Sequence, residues 1–250
     1  MQVIVDALLT HYEQNGTGKI VLLLHGWGDS AQGLVGIQKH LSKQYRVIAL
    51  DLPGFGSTQA PRETWGLDDY GKFVANFLSK IGAKDIWAVV GHSNGGGIAI
   101  RSIARDWLRP ERVVLLAAAG IRGEYKGRNK LYRMIAKTGK LATKPLPKSA
   151  QTQLRKKLYT TIGSDMLVAE HLEETFKRIV GDDVREDAPK ILVPTLLIYG
   201  EADTQAPVWY GEQYHELIPD STLEVLPGVG HFVHLERPVV VDTAITRFLA

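Results

Sequence analysis

The sequence predicts an α/β protein built on a mostly parallel sheet with helices on both faces. Two observations carry this. Aliphatic stretches such as Ile20-Val21-Leu22-Leu23-Leu24 and Ile86-Trp87-Ala88-Val89-Val90 lack the polar alternation of a half-exposed strand, as strands buried on both faces do. Between such stretches lie segments whose apolar residues recur at helical spacing, so strand and helix take turns along the chain.

Val3-Ile4-Val5 and residues 8–13 read as short strands, with a turn at Asn15-Gly16. Residues 19–24 and 45–50 read as buried strands, the second stopping at the turn cluster Asp51-Leu52-Pro53-Gly54. A helix follows over 68–81, with Tyr70, Phe73, Val74, Phe77, Leu78 and Ile81 on one face. Strand 85–90, helix 94–108 and strand 112–119 come next. Strand 194–199, helix 208–217, strand 222–226 and helix 238–249 complete the pattern.

One interval interrupts it. Over 121–187 the apolar positions keep helical spacing: Leu131, Met134, Ile135 and Leu141, then Leu154, Leu158 and Ile162, then Ala169, Leu172, Phe176 and Ile179. Pro145 and Pro147 divide the first helix from the second, and Gly181 suits the end of the third. Residues 1–120 and 188–250 are therefore expected to form the core, with 121–187 a helical insertion at one end of the sheet.

Composition narrows the class. Apolar residues at 44% and charged residues at 23% exclude a disordered or fibrous chain. The longest aliphatic run, residues 20–24, falls far short of the roughly 20 residues that span a bilayer, so no integral membrane association is expected. Without cysteine there is no disulfide framework, thiol nucleophile or thiolate metal site. The opening residues carry no secretory pattern, and a cytoplasmic protein is expected. Charge is uneven: residues 122–157 hold twelve Lys or Arg and a single acid, Glu124. A solvated helical face is the ordinary explanation; attraction to anionic substrates or lipid headgroups is the alternative. No basic–aromatic motif accompanies the charge, so nucleic acid is not an expected partner.

The chemistry centres on Gly91-His92-Ser93-Asn94-Gly95, a G-x-S-x-G sequence between a predicted strand and a predicted helix. So sharp a turn strains the serine backbone and projects its hydroxyl from the C-terminal edge of the sheet, above a helix N-terminus. A serine hydroxyl needs a base, and the base needs an orienting acid. Asp203, on the loop after strand 194–199, is the candidate acid, with Glu201 as its competitor. His231, after strand 222–226, is the candidate base, ahead of His234. The main-chain N–H groups of Trp27 and Asn94 are candidate oxyanion donors. His25 and His92 read as loop-ordering residues rather than bases, and Asp51-Leu52-Pro53-Gly54-Phe55-Gly56 as a structural turn.

With these segments in hand, the sequence resembles the α/β-hydrolase superfamily over essentially its whole length. His25-Gly26-Trp27-Gly28, Asp51-Leu52-Pro53-Gly54-Phe55-Gly56-Ser57, Gly91-His92-Ser93-Asn94-Gly95-Gly96, Gly200-Glu201-Ala202-Asp203 and Gly230-His231 occur in the family's order. The resemblance implies an eight-stranded sheet, a Ser93–Asp203–His231 triad and a cap formed by residues 121–187. It does not imply one substrate. Serine at 93 disfavours the dehalogenase and epoxide-hydrolase branches, which place aspartate there. His92 and Phe232 depart from the Asn and Trp frequent in carbon–carbon bond hydrolases. The small capped carboxylesterase and lactonase branch fits best, acting on a small-molecule ester with no metal or organic cofactor. A carbon–carbon hydrolase and a receptor-like protein with weak turnover are the alternatives.

Overall fold

The computed structural model describes residues 1–122 and 169–250. An eight-stranded sheet organises them, in the order β1-β2-β4-β3-β5-β6-β7-β8. Its strands are β1 (Gln2–Val5), β2 (Leu8–Asn15), β3 (Ile20–Leu24), β4 (Arg46–Leu50), β5 (Ile86–His92), β6 (Arg112–Leu116), β7 (Thr195–Gly200) and β8 (Ser221–Leu226). Pairings β1–β2 and β2–β4 are antiparallel and every other pairing is parallel. The hairpin turn is Asp6-Ala7, both residues at positive φ (46° and 63°), which matches the twist of the flanking strands. β2 runs two residues past its expected end because Tyr12–Asn15 pair with β4.

The buried strands explain their own sequences. Along β3, Leu22 and Leu24 join the core on one face while Val21 and Leu23 join the other. Both directions are apolar, so no alternation was visible. Helices α2 (Leu67–Lys80) and α3 (Asn94–Ala104) cover the first face, placing Tyr70, Phe73, Phe77 and Ile98 in its core. Helix α5 (Val208–Leu217) contributes Tyr214 to the same layer. The second face is covered by α1 (Val35–Leu41) and α7 (Pro238–Leu249), through Ile37, Leu41, Val241, Ile245 and Leu249.

One further helix and two further boundaries stand out against expectation. Helix α1 was not anticipated: it is only two turns long, and Gly33 and Gly36 interrupt its neighbourhood. Strand β6 stops at Leu116 because Ala117 turns to φ 45°. Helix α3 stops at Ala104, and Asp106 at φ 61° reverses the chain so that Trp107 and Leu108 donate back to the Ser102 carbonyl.

Most of the expected 121–187 insertion, with its first two predicted helices and nearly all of the basic run, lies outside the described residues. Its return limb is described. Helix α4 (Glu173–Gly181) ends at Gly181, as expected. Hydrogen bonds fasten this limb to the core: Thr175 Oγ1 accepts from Trp65 N, Asp182 Oδ2 accepts from Leu67 N, and Arg178 donates to the Thr64 carbonyl. Arg101 of α3 also reaches it, donating to the Asp183 carbonyl and pairing with Asp187 at 2.6 Å. Among the described residues no helix is long and apolar enough to cross a membrane.

Candidate active site

The six parallel strands, β3 to β8, end at one edge of the sheet, and the candidate residues lie at that edge, on the loops leaving it or on the first residues of the elements beside them. β5 delivers Ser93 at φ 50° and ψ −117°, a conformation costing a non-glycine residue about 1–3 kcal/mol. Neighbouring bonds hold it there: Ser93 N donates to the Leu116 carbonyl, and its own carbonyl accepts from Gly96 and Ala119. The flanking glycines are required by crowding. A Cβ on Gly91 would sit 2.7 Å from the Gly95 carbonyl oxygen, and one on Gly95 would collide with the Leu24 and His25 carbonyls.

Ser93 Oγ lies 2.9 Å from His231 Nε2, and His231 Nδ1 lies 2.7 Å from Asp203 Oδ2. A carboxylate only accepts, so Nδ1 carries the proton and Nε2 is free to accept from the serine hydroxyl. Asp203 is buried, and its second oxygen accepts from the main-chain N–H groups of Gln205 and Ala206 at 2.7 and 3.0 Å. Ser93 itself is half-buried. The structure thus brings Ser93, His231 and Asp203 into one hydrogen-bonded line.

The competitors are placed elsewhere. Glu201 accepts from Gly228 N at 2.9 Å, bracing the loop that carries His231. His234 is buried in the short helix α6 (Val233–Glu236), with burial pushing its pKa down to about 4. His25 accepts from Leu52 N through Nε2 at 2.9 Å, which leaves Nδ1 to donate to the Gly26 carbonyl at 2.7 Å. Both its nitrogens order the loop, and burial holds its pKa below the ordinary value. Asp51 performs the structural role read from its turn, accepting from Ala31 N, Ser57 N and His11.

The loop after β3 lies against the serine, since a Cβ on Gly26 would be 3.2 Å from Ser93 Cβ. Trp27 follows Gly26 on that adjacent loop, and Asn94 is the first residue of α3. The Trp27 ring packs between Phe55 (4.9 Å) and Phe176 of α4 (5.0 Å). Two supports were not legible in the sequence: Glu236, which accepts from Gly230 N at 2.9 Å, and the link from His92 Nε2 to the His231 carbonyl at 3.2 Å. Neither has a motif, because each bond joins residues that only the fold brings together.

Strand-end loops that converge on a strained serine define a hydrolase of the α/β type. The chain belongs to the alpha/beta hydrolase family, whose model matches residues 21–244. It is 28% identical to the uncharacterized hydrolase YugF of Bacillus subtilis, over 98% of this chain and 96% of that protein. It is 26% identical to a 2-hydroxy-6-oxo-2,4-heptadienoate hydrolase of Pseudomonas putida, over 99% and 95%. Among solved structures, a bacterial membrane phospholipase A aligns with a TM-score of 0.79 at 26% identity, covering all of this chain and 84% of that one.

Proposed function

We propose that this hydrolase cleaves small to medium carboxylic esters or lactones through an acyl-enzyme on Ser93. One observation carries the reading: the Ser93–His231–Asp203 line, with contacts of 2.9 and 2.7 Å and the imidazole in the tautomer that accepts from serine. His231 takes the hydroxyl proton as Ser93 Oγ attacks the carbonyl carbon. Asp203 holds the ring and stabilises its cationic form. The N–H groups of Trp27 and Asn94 receive the oxyanion. His231 then protonates the leaving alcohol, and the same imidazole activates water to release the acid.

Residues 121–187 act in this reading as a cap that limits substrate size. Their return limb supports it, since Phe176 packs on Trp27 beside the serine and α4 is bonded to the core. The partner is accordingly a small molecule, and the reaction calls for no metal or organic cofactor.

Likeness to the dienoate hydrolase of Pseudomonas putida favours a second reading, cleavage of a carbon–carbon bond next to a carbonyl by the same residues. A series of p-nitrophenyl esters, acetyl to dodecanoyl, decides between them. Wild type should turn over a preferred length, and Ser93→Ala should lose about 10⁴-fold or more in kcat. Absence of ester turnover, with cleavage of a vinylogous 1,5-diketone acid instead, would establish the second reading.

A further inference from the structure

We infer that His92 is a positioning residue that sets the distance between Ser93 and His231. It rests on the proposed nucleophile and base but concerns a group outside that line. His92 is the last residue of β5 and is covalently joined to Ser93. Its Nε2 lies 3.2 Å from the main-chain oxygen of His231, 139 residues further along the chain. One side chain therefore ties the backbone carrying the base directly to the backbone carrying the nucleophile.

A carbonyl oxygen only accepts, so Nε2 of His92 carries a proton. Nδ1 is buried, has no hydrogen-bond partner among the described residues and faces Gly26, where a Cβ would lie 3.0 Å away. A second proton there would have no acceptor, so the ring is neutral and has a single tautomer. Burial, with His234 and His231 nearby, keeps its pKa well below the ordinary value. The rings around it fix its plane: His231 at 5.0 Å, His234 at 4.7 Å and Phe232 at 5.5 Å between centroids. His92 is 1% exposed, so water does not compete for the bond.

Among the described residues His231 has no comparable tie to the Ser93 segment other than the working hydrogen bond itself. Asp203 fixes the tilt of the imidazole, and Glu236 holds the preceding residue, Gly230. Spacing along the Ser93–His231 direction is left to His92. Small errors in that spacing are costly, because proton transfer depends steeply on the separation of the heavy atoms.

The test compares His92→Phe, which keeps a ring but has no donor, with His92→Gln, whose amide N–H can reach the same carbonyl. Two rates are measured: ester turnover, and labelling of Ser93 by a fluorophosphonate, which needs the activated serine but no specific substrate. His92→Phe should lower both kcat and the labelling rate about 10- to 100-fold while KM stays within about threefold, and His92→Gln should recover most of the loss. Equal losses in both variants, a loss shared with KM, or an unchanged His92→Phe overturn the role. Wild-type labelling without ester turnover would refute the ester reading and leave the His92 comparison intact. Independently of any variant, ¹⁵N shifts of the wild-type imidazole should show His92 neutral with its proton on Nε2. A proton on Nδ1 overturns the inference.

Discussion

The two loops that meet at the site are built in opposite ways. The β5–α3 turn holds Ser93 by local means: a residue at φ 50°, glycines on both sides and main-chain bonds to adjacent segments. The loop between β8 and α6 holds His231 by bonds to residues far away in sequence or on other strands. Glu201 braces Gly228, Val229 accepts from Ala202, Asp203 meets the imidazole and His92 meets the carbonyl. The serine half is therefore fixed by its own turn and by the ends of β3 and β6 beside it, whereas the histidine half also needs β7 and β8 in place and the tie to β5. Motif and fold divide the work of making one site.

The histidine half should fail through chemistry. Asp203→Asn keeps the shape but offers an amide where a carboxylate held Nδ1–H and balanced the developing positive charge. A drop of about 10⁴-fold in kcat is expected, with an unfolding midpoint near that of wild type. Retention of more than a tenth of the activity would mean that His231 is oriented mainly by the loop braces and not by Asp203.

The serine half should fail through packing instead. Gly95→Ala drives a methyl group into the Leu24 and His25 carbonyls, which are main chain of β3 and its loop and have little room to yield. A loss of about 3 kcal/mol in stability is expected from urea unfolding, together with loss of Ser93 labelling. A stable Gly95→Ala protein with normal labelling would show that the turn adapts and is less rigid than its contacts require.

This contrast also explains what the sequence made legible. Ser93 could be found because strain, glycines and a flanking strand and helix all leave local marks. Asp203 and His231 were reachable only through chain order and strand ends, with Glu201 and His234 as rivals whose places the fold decides. The long-range braces left no pattern, since Glu236 on Gly230 and His92 on the His231 carbonyl are ordinary residues at arbitrary separation. The sheet was legible for the same reason as Ser93: strands β3 to β7 are apolar toward both cores. Helix α1 was not, because two turns containing Gly36 give too short a period to read.

A further effect concerns pH and separates the halves again. His25, His92 and His234 are buried and held neutral, with pKa values lowered first of all by burial, that of His234 to about 4. In the unfolded chain each would titrate near 6.5. Between those values the unfolded state binds more protons than the folded one, so stability is fully present above about pH 6.5 and is lost as pH falls toward 4. His234 alone accounts for about 3 kcal/mol across that window. Urea unfolding at pH 7, 6 and 5 should show a falling midpoint, and His234→Phe should flatten the slope. Because His92 and His234 both pack at the His231 loop, amides over 228–236 should lose hydrogen-exchange protection on acidification before those over 89–97. Simultaneous loss in both segments would mean that the two halves form one cooperative unit despite their different construction.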